Sequence, residues 1–332
     1  MRKIFPQIIG FFILMAISLL AIPSSGFAKI WLVGPDFQLK SPSSAIRLAK
    51  DGDTIKIMAG LYENDYAVIS QNNITLIGMN GFAHLKSSGP VPGGKAIWTI
   101  NGENVKIQNI EFSGVKVPDK NGAGIRLQKG SLTVDNCYFH GNDMGLITSN
   151  KLSIRLLIKK SEFSRNILLV PDLVYLAHNI YVGKIAEFIM KNTISRGAQY
   201  GHNVKSRAQN NIIKNNRIFD EGSVSASYLI DLPNGGKAHI ENNYLYKNKG
   251  AQNNAFISYG AEGMKHNENS LTIQFNTAIN EGGVAFLLRN HSDITAKIAG
   301  NNMTNVTIRE IPGIKKDGFM NKMKKTLQNY LK

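Results

Sequence analysis

One short sequence phrase recurs along most of the chain and constrains the fold more than any other feature. It consists of an aliphatic residue, a polar residue, two small or amide residues, any residue and then an apolar residue, as in "VKIQNIEF" (105–112), "IIKNNRI" (212–218) and "HIENNYL" (239–245). The anchoring aliphatic residues recur at intervals of 24 to 33 residues. A constant phrase at variable spacing predicts one strand and turn per coil of a solenoid, joined by loops of differing length. The equivalent anchors are Leu76, Ile107, Val134, Ile158, Ile189, Ile213, Ile240, Ile273 and Ile298.

Asparagine stands three positions after the anchor in five successive repeats, as Asn192, Asn216, Asn243, Asn276 and Asn301. In parallel coils stacked ~4.8 Å apart, such amides can bond to one another as a ladder. The pattern resembles that of right-handed parallel β-helix proteins with asparagine-lined turns, over roughly residues 50 to 305. The resemblance implies an all-β fold, a single-stranded right-handed parallel β-helix (solenoid), with an N-terminal cap and a short C-terminal helix.

Four segments are predicted. Residues 1–28 have the basic start, apolar run and small residues of a signal peptide, with an uncleaved anchor as the alternative. Residues 29–60 form an N-terminal cap with a short helix carrying Ile46 and Leu48, followed by the first strand, and residues 61–305 form the β-helix. Residues 306–332 form a basic tail or capping helix, and contact of its apolar face with an anionic membrane surface is the alternative. The predicted location is periplasmic or secreted.

The net charge is +16 for the full chain, which has 39 basic and 23 acidic residues. This balance favours a polyanionic partner. Export favours an acidic polysaccharide, lipopolysaccharide or anionic lipid over nucleic acid, so we expect an acidic polysaccharide and no nucleic acid. Cys137 is the only cysteine, so no internal disulfide is possible and stability must come from the core.

A second set of strands precedes the anchors, and its alternation predicts which side chains face outward. Aligning "GIRLQ" (124–128), "HNIYVG" (178–183), "HNVKSR" (202–207) and "LIDLPNGG" (229–236) sends Ile125, Ile180, Val204 and Ile230 inward. The match of the last segment needs a one-residue shift in the turn. A row of aromatic and basic side chains suits a sugar-acid polymer, although the charges alternatively keep the sheet soluble. The residues predicted to face outward are Arg126, Tyr181, Lys205, Arg207 and Asp231, with Trp98, Tyr259 and Arg289 on similar strands.

The two histidines His178 and His202 share one register and are expected to point inward or into a turn, stacked on each other. A structural pair is the first interpretation, and a role of His202 in substrate binding is the second. The single cysteine and seven scattered histidines have no ligand spacing typical of a metal site, so no metal ligand and no role in metal-centre assembly is predicted.

Acidic polymers can be cleaved by β-elimination, in which a cation neutralises the uronate carboxylate and a base removes the C5 proton. Arg207 or Arg126 would be the cation, and Lys205 the base, because nearby arginines disfavour its charged form. "VKSRAQNNIIKNN" (204–216) also resembles the catalytic strand of the alginate lyase and chondroitinase B group, which implies that Lys205 is the base. Asp231 stands where that group has its partner arginine, so the acid is unassigned.

The predicted catalytic residues are therefore Lys205 and Arg207, and the predicted substrate-binding residues are Arg126, Tyr181, Asp231, Tyr259 and His202. No cofactor is assigned from the sequence, and a Ca²⁺ ion held by Asp231 and Glu262 that neutralises the carboxylate is the alternative. Glycoside hydrolysis needs two paired carboxylates, and the chain has no Asp-Asp pair. The alternative to an enzyme is a non-catalytic polysaccharide-binding or cell-envelope structural protein.

Overall fold

The computed structural model describes residues 27–166, 177–199, 201–222, 226–251 and 253–308. The predicted signal segment, apart from its last two residues, and nearly all of the predicted C-terminal tail lie outside the described residues, so both stay predictions. None of the helices in the described part of the chain has the length and apolar character of a membrane-spanning segment.

The described strands form three parallel sheets that run along the solenoid. Sheet 1 contains β1 (Ile30–Val33), β2 (Thr54–Glu63), β4 (Thr75–Lys86), β6 (Val105–Gln108), β9 (Ser131–Asp135), β12 (Arg155–Lys159), β15 (Glu187–Lys191), β18 (Asn210–Lys214), β21 (Lys237–Glu241), β24 (Ser270–Gln274) and β27 (Lys297–Ala299). Sheet 2 contains the second halves of β2 and β4, then β7 (Ile110–Ser113), β10 (Tyr138–His140), β13 (Glu162–Ser164), β16 (Ile194–Arg196), β19 (Arg217–Phe219), β22 (Tyr244–Lys247), β25 (Thr277–Asn280) and β28 (Asn302–Thr304).

Sheet 3 lies apart from these two and carries the candidate functional strands. Its ten strands are β3 (Ala67–Ile69), β5 (Ala96–Ile100), β8 (Ala123–Leu127), β11 (Met144–Thr148), β14 (Ile180–Val182), β17 (Val204–Ser206), β20 (Ile230–Leu232), β23 (Ala255–Tyr259), β26 (Ala285–Asn290) and β29 (Val306–Thr307). Each strand pairs in parallel with the strand one coil away. The predicted all-β parallel solenoid is confirmed.

Helix is almost absent from the described residues, which contain α1 (Pro42–Leu48) and one 3₁₀ turn (Pro92–Gly94). Helix α1 packs near the first coil, with Ala45 and Ile46 in the core and Leu48 exposed. The helix was expected at this place; its role as a cap stays a prediction.

The core is built from inward side chains that repeat in every coil. Ile125, Ile180, Val204 and Ile230 are fully buried, as predicted. Aromatic rings stack in the same way: the Phe112 and Phe139 rings lie 5.0 Å apart, and those of Phe139 and Phe163 lie 4.5 Å apart. Burial of this apolar surface is the main stabilising contribution in a chain without disulfides.

The asparagine ladder is confirmed for four of its five predicted members. Asn216 donates from Nδ2 to Oδ1 of Asn243 at 2.9 Å, Asn243 donates to Asn276 at 2.9 Å, and Asn276 donates to Asn301 at 3.0 Å. Each side chain thereby satisfies polar groups of the neighbouring coil inside the protein.

The assignment of Asn192 to this ladder is wrong. Met190, not Ile189, pairs with Ile213, so the ladder position in this coil is Thr193, whose backbone N–H donates to Asn216 Oδ1 at 3.0 Å. Asn192 has a positive φ of 52° and belongs with Asn215 and Asn242, at 58° and 55°. Asparagine tolerates the left-handed region, so the turn between sheets 1 and 2 uses it for backbone shape.

Candidate functional site

The outward side chains of sheet 3 form one row, which we call the sheet 3 column. Strand pairing aligns Lys205 directly with Tyr181 on one side and Asp231 on the other. The predicted one-residue shift in the turn is present, since Val204 pairs with Ile230 and Ile213 pairs with Ile240. Arg126, Tyr181, Lys205 and Asp231 therefore share a face, as predicted. The column consists of Thr99, Arg126, Ile147, Tyr181, Lys205, Asp231, Ser258 and Arg289.

Two aromatic residues predicted for this face point the other way. Tyr259 pairs with Leu232 and is fully buried, and its hydroxyl donates to the carbonyl oxygen of Gly236 at 2.6 Å. Trp98 pairs with Ile125 and is also fully buried. Strand alternation gives the outward positions of their strands to Ser258 and Thr99, so Tyr259 is a core residue and not a surface for sugar rings.

Charged side chains converge at the centre of the column. Lys205 Nζ donates to Asp231 Oδ2 at 2.8 Å and lies 3.6 Å from Glu262 Oε1. Arg207 holds Glu262 with two hydrogen bonds, of 2.9 Å from Nε and 2.8 Å from Nη2, and donates from Nη1 to the Tyr181 hydroxyl at 2.6 Å. We call this set the Lys205 cluster; it consists of Tyr181, His202, Lys205, Arg207, Asp231 and Glu262.

The predicted histidine stack is confirmed beside this cluster. The rings of His178 and His202 lie 5.0 Å apart and nearly parallel, and the Tyr228 ring stacks on the other side of His202 at 5.5 Å. His202 Nδ1 accepts the backbone N–H of Tyr228, which leaves Nε2 to carry the proton and face Asp231 Oδ2 at 3.3 Å. Burial, followed by the charge of Lys205, holds the pKa of His202 well below its usual range, so this ring is a neutral donor.

The charge environment of Lys205 is the opposite of the one predicted. Arginines were expected beside the amine, but carboxylates of Asp231 and Glu262 are its charged partners, while Arg207 is engaged by Glu262 and Tyr181. Burial alone would raise the pKa of Glu262; the hydrogen bonds and charge of Arg207, together with Lys205, outweigh it and lower the pKa. A Ca²⁺ ion at these carboxylates would have to displace both basic side chains.

Polar atoms without partners flank the cluster along the column. The Nε and Nη1 atoms of Arg126 and the Nε atom of Arg289 are buried without a hydrogen-bond partner. In the described part of the chain, no carboxylate forms an ion pair with either guanidinium, and burial lowers the pKa of Arg126. Asp231 Oδ1 and Ser258 Oγ are also buried and unpartnered. The outward row therefore holds buried donors and acceptors without partners, which a ligand reaches only if the surrounding side chains move.

Ser258 and Tyr228 are the members of this region that the sequence reasoning missed. Ser258 pairs directly with Asp231, so counting outward positions from Asp231 along the strand pairing finds it. The ring of Tyr228 is placed by its stack on His202, for which the sequence has no comparable signal.

The family comparison fits this architecture. The model of the right-handed β-helix region matches residues 50–251, more than half of the chain, so the protein belongs to the right-handed β-helix family. This agrees with the predicted handedness. No curated protein matches the sequence.

Among solved structures, the chain is similar to the alginate lyase from Paenibacillus sp. str. FPU-7, with a TM-score of 0.51 and 15% identity over 86% of this chain and 99% of that chain. It is also similar to the pectin methylesterase from Aspergillus niger, with a TM-score of 0.46 and 11% identity over 86% of this chain and 92% of that chain. At these identities the likeness is one of fold.

Proposed function

We propose that the protein is exported and binds an acidic polysaccharide along the sheet 3 column, with β-elimination at Lys205 as the catalytic form of the proposal. The observation that carries it is Arg126, whose Nε and Nη1 atoms are buried without a hydrogen-bond partner. Its guanidinium forms no ion pair with a carboxylate of the described residues. The β-helix fold shared with an alginate lyase supports the same class of ligand.

A guanidinium group removed from water without an anion is unfavourable, because the lost hydration is not replaced. The carboxylate of a uronate residue matches the planar fork of arginine and can accept two hydrogen bonds from it. Arg126 is therefore an anchor for a carboxylate. Farther along the column, Tyr181 adds an aromatic ring and the unpartnered Ser258 adds a polar group.

The spacing of the column suits a polymer. Arg126 and Arg289 are separated by six strand-to-strand steps, which is roughly 29 Å at the usual strand separation. Two cationic groups at this distance would contact different sugar units of one chain, whereas a monosaccharide would reach only one of them.

The export part of the proposal rests on the sequence of residues 1–28, which has the order of charge, apolar run and small residues typical of a signal peptide. An exported basic protein meets acidic polysaccharides in the cell envelope or outside it.

In the catalytic form, a substrate carboxylate replaces Glu262 on Arg207, and the Lys205 ammonium group gives one proton to solvent as it leaves Asp231. The neutral amine of Lys205 then removes the C5 proton. The bond to the leaving oxygen at C4 breaks as the double bond forms between C4 and C5, and the leaving oxygen takes up a proton from solvent. Lys205 Nζ lies between Asp231 and Glu262, so its release from these carboxylates is part of the step.

Binding is tested with alginate, pectate and glycosaminoglycans by calorimetry, with a neutral glucan as the polymer control. We expect Arg126→Gln to lower the affinity at least about tenfold, the loss of one charge-assisted pair. Arg217→Gln is the matched control: it removes the same charge from sheet 2 and should leave the affinity unchanged. Equal losses in both variants would mean that net charge alone attracts the polymer, and no binding to any acidic polymer would overturn the proposal.

Catalysis is tested by the ultraviolet absorbance of unsaturated uronates. Lys205→Arg keeps a positive charge opposite Asp231 but cannot act as a base at neutral pH, so turnover should vanish while affinity is kept. Turnover in Lys205→Arg equal to that of the unaltered protein would exclude Lys205 as the base. Polymer binding without a new chromophore in the unaltered protein would leave the binding function and remove the lyase.

A further inference from the structure

A second cluster of ionisable side chains lies on sheet 2, on a different sheet from the column. His140 Nε2 lies 2.8 Å from Glu111 Oε1, and His84 Nε2 lies 3.3 Å from the same oxygen. The three ligand atoms all lie within 4.8 Å of one another. Among the described residues this is the only group of three that could hold a metal ion. We call it the His84 cluster.

The strand register explains the convergence. His84 of β4 pairs with Glu111 of β7, and Ser113, two residues after Glu111, pairs with His140 of β10. Residues two apart on a strand share a face, so all three side chains point outward on neighbouring coils. The side chains are 25%, 20% and 32% exposed for His84, Glu111 and His140, so an ion from solvent can reach them.

The two separations from Glu111 Oε1 fit a small transition-metal ion. Two ligand atoms that each lie about 2.1 Å from a tetrahedral zinc ion are about 3.4 Å apart, so the observed 3.3 Å needs almost no change and the 2.8 Å contact needs to open by a few tenths of an ångström. Glu111 forms no ion pair with a lysine or arginine in the described part of the chain. Its charge is thus available to a cation.

We propose that His84, Glu111 and His140 form a binding site for a divalent transition-metal ion, with two imidazole nitrogens and one carboxylate oxygen as ligands. This donor set selects zinc, copper or nickel over calcium and magnesium, which prefer oxygen ligands. Ser113 Oγ lies 2.7 Å from His84 Nε2, which is the ligand atom itself, so this hydrogen bond gives way when the nitrogen binds the ion.

Three protein ligands leave a coordination position open to a water molecule or another ligand. His140 also borders a depression of about 530 Å³ that is lined by Arg165, Arg196 and Glu221 among others. The proposed site therefore borders a polar depression from which a further ligand of the ion could come.

The test uses untagged full-length protein that has been stripped with a chelator and then titrated with Zn²⁺ by calorimetry and with Co²⁺ by visible absorption. We expect the protein to bind one equivalent of Zn²⁺. Bound Co²⁺ should give the intense visible absorption bands that are typical of an ion with fewer than six ligands. His84→Ala, Glu111→Gln and His140→Ala should each lower the Zn²⁺ affinity at least about tenfold, since loss of a direct ligand exceeds the usual effect of loss of a supporting group. Excess Ca²⁺ should not compete.

His239→Ala is the matched control, because His239 is a partly exposed histidine that also contacts a carboxylate, that of Glu241, without a third ligand. It should keep full affinity, and unfolding curves should show that all variants are folded. The proposal is overturned if the unaltered protein binds Zn²⁺ no better than a His84→Ala/His140→Ala variant, if His239→Ala loses as much affinity, or if Ca²⁺ competes equally.

Discussion

The Lys205 cluster on sheet 3 and the His84 cluster on sheet 2 are assembled by the same rule and differ in what surrounds their carboxylates. Both collect outward side chains from neighbouring coils, so residues 26 to 29 positions apart become direct contacts. Asp231 is nearly inaccessible and pairs with a lysine, whereas Glu111 is partly exposed and faces only imidazoles. A comparison of the two clusters therefore shows how burial of a carboxylate changes the partners that it needs.

A carboxylate that is removed from water must be neutralised by the protein itself, because the cost of desolvation is several kcal/mol per ion. Asp231, whose side chain is 4% exposed, accordingly has Lys205 as its partner. At Glu111, which is 20% exposed, water screens part of the charge, and the described residues include no lysine or arginine partner for it. A charged ligand at Lys205 has to break the pair with Asp231, whereas a cation at Glu111 has no such pair to break.

The largest effect is expected when one partner of the buried pair is removed. Lys205→Met leaves the charge of Asp231 buried with only the neutral His202 beside it, and should lower the free energy of unfolding by about 3–5 kcal/mol. Lys205→Met/Asp231→Leu removes both charges and should regain most of that loss. Urea unfolding measures each variant.

Glu111→Gln provides the contrast in the same assay, and should change the free energy of unfolding by less than about 1 kcal/mol. If Lys205→Met lowered the free energy of unfolding no more than Glu111→Gln does, burial would not distinguish the two clusters and the comparison would fail.

A smaller effect is expected from the pH dependence of the histidine stack. Burial, followed by neighbouring positive charges, holds the pKa values of His178 and His202 well below 6.5 in the native protein. The unfolded chain takes up these protons below about pH 6.5 and the native protein does not, so stability should fall as the pH drops, at about 1.4 kcal/mol per pH unit for each histidine.

His202→Gln removes one of these groups and keeps an acceptor and a donor, so the slope of stability against pH below 6.5 should become shallower by about 1.4 kcal/mol per pH unit. His239→Gln, which removes an exposed histidine from sheet 1, is the control for comparison. An equal slope in His202→Gln and in the unaltered protein would mean that His202 is protonated in the folded state or does not titrate in the unfolded chain.

The solenoid could be predicted because one phrase recurs once per coil. When the register stays constant over many coils, the alignment of the strands follows from the sequence alone. The misassigned residues show the limit of this alignment. Asn192 and Tyr259 each lie one position from the residue that has the predicted role, Thr193 and Ser258. Since alternation has a period of two, an error of one residue reverses the direction of a side chain.

The residues of the His84 cluster do not have a sequence spacing typical of a metal site, so the sequence predicted no metal ligand there. Glu111 and His140 are 29 residues apart, a coil-length interval that the phrase itself has. In a solenoid the ligand spacing of a site on one sheet is the coil length, so a search at that interval would have brought these residues together. Glu262 contacts Arg207 from a loop, 55 residues later, and loop contacts follow no such period. Strand alternation therefore predicted cations near Lys205, and Glu262 was expected as a calcium ligand with Asp231 and not as the partner of Arg207.

The smallest effect is expected at Glu262, where the buried cluster reaches the surface. Its side chain is 34% exposed, so Glu262→Gln should lower the free energy of unfolding by no more than about 1 kcal/mol. The neutral amide holds Arg207 less tightly, so a polymer carboxylate should replace it more easily and the affinity for an acidic polysaccharide should rise about two- to fivefold.

Glu268→Gln is the control. Glu268 is a more exposed carboxylate of the same loop and pairs with Lys237, so its substitution should change the affinity less. Weaker polymer binding in Glu262→Gln alone would mean that Glu262 itself contacts the sugar, and that the cluster binds its ligand without opening.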